Sequence, residues 1–314
     1  MTALAESDVR AARLRLRVRA ARGFARRFLT RRDGALGVAI LAFFSVLALA
    51  PDLFVGPLQT VTTASGQQLD APSYSHILGT DDIGRDMLNL TIHGTRISMM
   101  IGLLATLVTI LIGVVVGIVA GYVGGATDTI LMRITDFFLV LPTFVLALIL
   151  APIVLDLIGA DAQIVGMRAT LFVIVIVIGI TSWASTARII RAQALTLKER
   201  AFVSRARVIG ASGPHIMLRH ILPNVLNLIV ANAVLTFAGA ILTETTLSFV
   251  GLGDPFDPSW GQILNAAQES GAPGLGAWWY VAPPAVSVVL VVLSFTLVGG
   301  ALDDVLNPRL RARR

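Results

Sequence analysis

Long apolar runs separated by polar segments are the dominant pattern of this chain. A helix that crosses the hydrocarbon core of a bilayer needs about 20 mostly apolar residues, because each residue rises about 1.5 Å. The pattern predicts an all-α integral membrane protein with six transmembrane helices. They lie at about residues 34–50, 97–122, 131–150, 169–187, 225–250 and 282–302.

The composition agrees with a membrane protein and excludes several kinds of chemistry. Charged residues make up 14% of the chain, whereas soluble domains carry about 25%. The absence of cysteine excludes thiol catalysis, thiolate metal sites and disulfides. The closest pair of histidines, His215 and His220, lacks the i, i+4 spacing of two ligands on one helix face. We therefore expect no metal site.

The basic residues indicate how the chain lies in the membrane. Residues 1–33, 188–224 and 307–314 contain 21 of the 25 lysines and arginines, and the polar segments between them are rich in acids. The positive-inside rule then predicts that both termini are cytoplasmic. The arm either lies on the membrane surface as a basic helix or stays a solvated tail. The predicted organisation is a basic arm (1–33), a first span with an outer loop (34–96), a core of five spans (97–303) and a basic tail (304–314).

Three features within the spans carry further predictions. Gly113, Gly117 and Gly121 have the spacing that permits close helix packing. Pro142 predicts a kink, because it lacks an N–H group and clashes with the preceding turn. Glu244 is an acid inside a span, so it either contacts substrate, holds an outer gate, or forms a structural hydrogen-bonding group with Thr243, Thr245 and Thr246.

The basic segment, residues 188–224, is long and polar for a connection between two spans. Its composition predicts two short helices, near 200–207 and 215–220, separated by a turn at Gly210 with Pro214 opening the second helix. Its apolar side chains either fill a groove on a partner protein or belong to a basic loop that rests on lipid headgroups. These side chains are Phe202, Val203, Val208 and Ile209.

The basic segment resembles the EAA loop of the permeases of bacterial ABC importers. Ala206, Gly210 and the pair Leu222 and Pro223 match that pattern, whereas Ser204 and Arg205 stand where the family has an acid and an alanine. Further matches to the dipeptide and oligopeptide permeases (the DppC/OppC-like kind) occur in the same order along the chain. They lie at residues 76–103, 187–200, 246–253, 258–264 and 302–311.

The resemblance implies the type I permease fold and a transmembrane subunit of an ATP-driven importer of short peptides in the bacterial inner membrane. The implied partners are a homologous permease, two ATPase subunits and an extracytoplasmic substrate-binding protein. The chain lacks a phosphate-binding loop, so ATP and Mg²⁺ are expected on the ATPase subunits and no cofactor on this chain. The residues expected to couple to the ATPase, within loop 188–223, are Glu199, Phe202, Val203, Ala206, Gly210, Ala211 and Pro223.

The outer loop before the second span contains the sequence GTDDIGRD, residues 79–86. It either contacts the binding protein or the partner permease, or forms a local hydrogen-bonded cap. The residues concerned are Thr80, Asp81, Gly84, Arg85 and Asp86.

A secondary carrier or channel without an ATPase is the alternative function, and an intramembrane enzyme is disfavoured because Glu244 has no evident catalytic partner. The sequence does not choose among dipeptides, longer peptides, nickel complexes and haem as substrates.

Overall fold

The computed structural model describes residue 28, residues 30–159 and residues 162–306, with side chains up to residue 302. Most of the predicted basic arm and the tail from residue 307 lie outside the described residues. The helices are α1 (Arg32–Leu49), α2 (Asp52–Val55), α3 (Met87–Val123), α4 (Gly125–Val140), α5 (Thr143–Ile158), α6 (Ala169–Lys198), α7 (Ala201–Val208), α8 (Gly213–Ile216), α9 (Leu222–Leu247), α10 (Trp260–Glu269) and α11 (Trp278–Leu306). Strands β1 (Gln163–Ile164) and β2 (Met167–Arg168) form an antiparallel hairpin, and π-helical turns at Met217–Ile221 and Ser248–Leu252 flank α9.

Among the described residues, five helical runs are long and apolar enough to cross a membrane: α1, α3, α6, the run Gly213–Leu252 and α11 through Leu302. Helices α4 and α5 together make a sixth candidate. The architecture therefore matches the predicted six spans. We call the end of the bundle that carries α7 the basic end, and the end that carries α2, the hairpin and α10 the acidic end.

The contact between α3 and α6 is the most extensive between any two helices and depends on glycines of α3. A Cβ atom added at Gly113 would lie 2.6 Å from the Cβ atom of Thr186, and one at Gly121 would lie 2.7 Å from the Cβ atom of Ala194. Only hydrogen atoms fit at such distances, so the two backbones touch along the glycine row. The predicted close packing of this span is confirmed.

The third span is broken rather than kinked. Helices α4 and α5 meet at 94° around Leu141 and Pro142. Leu141 is extended (φ −78°, ψ 130°), as steric clash with a following proline requires. The predicted single helix over 131–150 is therefore wrong in its bounds, because Pro142 ends one helix and α5 begins anew at Thr143.

Three spans extend well beyond their predicted bounds. Helix α3 begins at Met87 rather than near residue 97, and α6 continues past residue 187 to Lys198. The run into α9 begins at Gly213 instead of near residue 225, so the predicted second short helix is the first part of that span. The extension of α6 is rich in Arg, Gln, Ala and Leu, which have high helix propensity, whereas α3 begins early because the Asp86 side chain caps its first turn.

Helix α10 was not predicted and packs on the acidic end of the bundle. Its Trp260 is fully buried, and its indole N–H donates to the carbonyl of Thr91 in α3 (3.1 Å). Ser259 caps the helix by accepting a hydrogen bond from the backbone N–H of Gln262 (3.3 Å). The serine after Pro258 was the available sequence signal, because serine is a favoured N-cap residue.

Gly117→Ala should destabilise the fold, because its Cβ atom would lie 2.6 Å from the carbonyl oxygen of Ala187, and a backbone atom cannot easily yield. Overpacking of this kind costs about 1–3 kcal/mol. Thermal unfolding of the purified protein in detergent measures the loss. The matched control is Gly300→Ala in α11, where nothing lies within 4 Å of the added atom. Equal melting temperatures for both variants would contradict the proposed packing.

Candidate functional site

The buried side of α7 attaches the basic segment to the spans. Val203 is fully buried, and Phe202 and Ala206 pack beside it as half-buried residues. The buried residues that cluster with Val203 are Ile118, Ile190, Ala194, Leu197, Ile216, Ile221 and Val225. Phe202 and Val203, two of the four apolar residues considered for a partner's groove, therefore pack within this chain, and their part in coupling stays a prediction.

Helix α7 ends in a Schellman motif that contains Gly210. The N–H group of Ala211 donates to the carbonyl of Ala206 (3.0 Å), and that of Gly210 donates to Arg207 (3.0 Å). Gly210 has φ +89°, a left-handed conformation in which a side chain is strained. The predicted turn at Gly210 is confirmed.

The exposed side of α7 presents apolar and basic groups together. Val208 is 89% exposed and Ile209 is 85% exposed. The nearby Arg205 and Arg207 are exposed as well. Glu199 lies exposed in the break between α6 and α7, and Pro223 is exposed in the first turn of α9. The part played by these residues in coupling to an ATPase stays a prediction.

Two arginines of the basic segment form ion pairs with acids of the same chain. The guanidinium of Arg191 donates to both carboxylate oxygens of Asp128 (2.5 and 2.6 Å), and Arg188 donates to Asp136 (2.7 Å). Both arginines belong to α6 and both acids to α4. The paired contact therefore holds the first half of the broken span against α6 at the basic end.

The segment 79–86 forms a hydrogen-bonded cap at the start of α3. Asp81 is fully buried and accepts from the Nε–H group of Arg85 (2.7 Å) and from its backbone N–H (2.8 Å). Asp86 caps α3 by accepting from the N–H groups of Leu88 (2.7 Å) and Asn89 (3.1 Å). The local cap, one of the two predicted alternatives, is what the structure contains.

The geometry of the cap leaves little for a partner to touch. Thr80 is fully buried, and Gly84 has φ +86° and lies directly against the backbone of Gly66. The hydroxyl of Tyr280 donates to Asp82 (2.7 Å), which ties the cap to α11. A contact between this segment and a partner protein stays a prediction.

Glu244 holds three helices together at the acidic half of the bundle. Its carboxylate accepts from the hydroxyls of Ser248 (2.9 Å) and Ser98 (3.2 Å), and Ser98 in turn accepts from the backbone N–H of Trp260 (3.1 Å). Helices α3, α9 and α10 thereby share one buried network. The hydroxyl of Thr245 also lies within reach (3.4 Å).

Two of the hydroxyls predicted to bond Glu244 do not do so. Thr243 and Thr246 donate to the carbonyls of Gly239 (2.9 Å) and Leu242 (2.7 Å) in their own helix. Glu244 is fully buried and its carboxylate is held by the hydroxyls of Ser248 and Ser98, so the geometry favours a structural role over that of a gate. Sequence reasoning missed both Ser248, one turn further along the chain, and Ser98, which lies 146 positions away.

A cavity of about 470 Å³ opens at the acidic end between α3, the hairpin and the loop before α10. Arg168 lies 3.7 Å from the carboxylate of Asp257 and 3.9 Å from that of Asp254, with its guanidinium 4.2 Å above the ring of Phe256. Burial raises the pKa of the Asp257 carboxyl, and the nearby Asp254 raises it further. The cavity wall thus carries charges of both signs.

The fold and these contacts define a polytopic helical membrane protein with a rigid connection at one end. Residues 113–312 match the family described as binding-protein-dependent transport system inner membrane component. The match spans more than half of the chain, and the chain belongs to this family. The predicted resemblance and the predicted all-α membrane architecture are both confirmed.

Curated relatives are similar over nearly the whole chain. A putative peptide permease protein of Brucella suis biovar 1 (strain 1330) is 34% identical over 288 residues, which cover 91% of this chain and 90% of the relative. The dipeptide transport system permease protein DppC of Bacillus subtilis (strain 168) is 35% identical over 279 residues, which cover 88% of this chain and 81% of the relative.

Asp257→Asn should raise thermal stability near neutral pH. Folding raises the pKa of the Asp257 carboxyl, so the native state binds the proton more tightly than the unfolded state does. At pH values above the native-state pKa the ionised carboxylate therefore lowers the free energy of unfolding. The cost disappears as the pH falls below about 3.9, the ordinary value for aspartate. The gain should therefore shrink between about pH 7 and pH 4.

Melting temperatures of the purified wild type and variant across that pH range provide the measurement. The effect should be small, because the Asp257 side chain is 41% exposed and solvent screens its charge. Arg168 keeps Asp254 as a partner in the variant. A lower melting temperature for the variant at every pH would contradict the expectation.

Proposed function

We propose that this chain is a transmembrane permease subunit of an ATP-driven importer of short peptides. It forms half of the translocation pathway and couples to ATPase subunits through loop 188–223. Its partners are a homologous permease, two ATPase subunits that bind ATP and Mg²⁺, and an extracytoplasmic substrate-binding protein. The basic end faces the cytoplasm, and the acidic end faces the binding protein.

The single observation that carries this proposal is the construction of α7. One side is buried against the spans through Val203, and the other presents Val208 and Ile209 to solvent beside arginines. Adjacent exposed apolar side chains with a basic rim are typical of a surface that a partner covers. A loop that merely rested on headgroups would not need its inner side fixed in a packed cluster.

The same construction explains how movement of a partner reaches the spans. The cluster around Val203 joins α7 to α6 and to the run into α9, so these elements move as one body. From α6 the paired contact of Arg191 with Asp128 reaches α4 and hence the broken span. A force applied at α7 is therefore delivered to three spans, as alternating access requires.

The assignment of peptides as substrates rests on the relatives. Two of them are named as permeases for peptides or dipeptides, and each is at least 34% identical over most of this chain. Transport by a chain without its own ATPase also fits the absence of a phosphate-binding loop from the sequence. The binding protein is proposed to select among peptides.

Val208→Asp should abolish co-purification of the ATPase subunits from native membranes while leaving the second permease bound. The change adds a charge to a surface that the proposal buries, which costs several kcal/mol in a contact without a partner. A pull-down of the tagged chain in mild detergent, with identification of all recovered proteins, is the measurement. Recovery of the wild-type chain without any ATPase would instead favour a secondary carrier or channel.

The matched control for this pull-down is Val165→Asp. Val165 is 90% exposed, as Val208 is 89% exposed, but it lies in the hairpin at the acidic end. Its φ of +52° is also a conformation that aspartate tolerates better than valine. ATPase recovery should be unchanged in this variant, and equal loss in both variants would argue against α7 as the contact.

Gly210→Val should abolish ATP-driven peptide uptake by the reconstituted complex without preventing membrane insertion. Valine at φ +89° is strained and would distort the turn that ends α7. Gly159→Val is the control, because Gly159 has φ +88° and likewise has no atom within 4 Å of an added Cβ, but it follows α5 at the acidic end. Normal uptake by Gly210→Val would contradict the coupling role.

A further inference from the structure

A second cavity, of about 250 Å³, lies between the spans, and most of its lining residues bear a hydroxyl group. Its walls come from α3, α5, α6 and α9. The hydroxyl-bearing residues are Thr109, Thr143, Ser182, Ser185, Thr236 and Thr243. No acidic or basic side chain is among the lining residues, and Ile178, Gly239 and Ala240 complete the wall. The cavity is thus polar but uncharged.

The cavity lies deep within the bundle. Ser182 follows the start of α6 at Ala169 by 13 positions, or roughly 20 Å of helix. Thr243 lies nine positions before the end of the run Gly213–Leu252, or roughly 14 Å. Both distances place the cavity near the middle of a bilayer whose hydrocarbon core is about 30 Å thick.

The break in the third span opens onto this cavity. Thr143, the first residue of α5, lines it directly after the break at Leu141 and Pro142. The first-turn N–H groups of a helix have no partner within the helix, and the cap residue Pro142 supplies no side-chain hydrogen bond. Non-helical backbone at membrane depth persists where it is buried in protein or lines a watered cavity.

Thr109 supplies an independent indication of a ligand. It is fully buried in α3, lines the cavity, and its hydroxyl has no hydrogen-bond partner among the described residues. A buried hydroxyl without a hydrogen-bond partner lowers the stability of the protein. Its presence therefore indicates a partner from outside the chain, such as a ligand. Ser182 is half-buried and Ser185 exposed, and both line the same cavity.

We infer that this cavity is a peptide-backbone site within the translocation pathway. Hydroxyls both donate and accept hydrogen bonds, so they match the N–H and carbonyl groups that every peptide carries, whatever its side chains. The absence of charged lining residues leaves the side chains unselected and avoids a tight ion pair that would trap the substrate. This inference rests on the proposed function and adds where the peptide is held.

Thr109→Val separates a ligand-binding hydroxyl from a structural one. Valine has the same shape without the unpaired hydroxyl, so the purified variant should melt no lower than the wild type. Uptake of dialanine by the reconstituted complex, with the binding protein and ATP, should nevertheless fall about 2- to 10-fold, the effect of losing one hydrogen bond. The control is Thr135→Val in α4, where the hydroxyl donates to the carbonyl of Leu131 (2.8 Å) away from the cavity.

The outcomes of this experiment have distinct meanings. Unchanged uptake by Thr109→Val in an active complex would overturn the backbone site and leave the proposed function intact. A wild-type complex that carries no peptide at all would refute the proposed function itself. A variant that melts well below the wild type would show that the hydroxyl is structural, which also overturns the inference.

A second measurement tests access of water and peptide directly. Because the chain has no cysteine, Ser182→Cys provides a single thiol in the cavity. A small charged methanethiosulfonate reagent should modify it in the assembled complex, and dialanine should slow the reaction. Thr296→Cys is the control, an exposed position in α11 whose hydroxyl bonds its own helix (2.9 Å). No reaction at residue 182, or no protection by dialanine, would overturn the inference.

Discussion

The close contact between α3 and α6 is the constraint on which the rest of the structure depends. Gly113, Gly117 and Gly121 let α3 approach α6 so closely that a Cβ atom added at any of the three would collide with α6. Van der Waals packing and small residues hold helices together in a bilayer, where the lipid removes most of the hydrophobic drive for association. Helix α6 is thereby fixed over much of its length, and it is the helix that carries α7 at one end and Ser182 near its middle.

Charged groups that look available in the sequence serve mainly to join elements of this chain. Asp81 and Arg85 close the cap before α3, Asp128 binds Arg191, and Glu244 is held by serine hydroxyls. Each of these carboxylates has the partners that burial demands, because an unpaired charge away from water is costly. The exposed tip of α7, by contrast, remains available to another protein.

Helix α6 connects the two proposed functional regions, the exposed tip of α7 and the hydroxyl-lined cavity. The end of α6 at Lys198 lies 16 positions, or roughly 24 Å, from Ser182. Along this path α6 is a continuous helix, held on one side by the glycines of α3 and on the other by the ion pairs to α4. The broken span is the exception, and its break lies beside the hydroxyl-lined cavity. Rigid transmission with one discontinuity near the substrate is what a coupled transporter requires.

Much of the architecture was predictable from local sequence, and the turn at Gly210 was as well. Apolar length fixed the number of spans, and Pro142 located the break, because proline cannot continue the backbone hydrogen bonding. Gly210 marked the end of α7 for the same kind of reason, since few other residues adopt a positive φ. Helix ends were predicted poorly. Arginine, glutamine and alanine continue α6 past its apolar run, and the Asp86 cap starts α3 well before its apolar run.

The sequence by itself determined the class of fold, the spans and the family, because each follows from apolar length, turn residues or a short ordered motif. Only the tertiary structure decided which polar groups are partners. Ser98 and Glu244 meet across 146 positions, and Val203 proved buried whereas Val208 is exposed. Periodicity alone does not tell which face of a short helix meets its own chain. That choice is made by long-range packing, which depends on where the other helices stand.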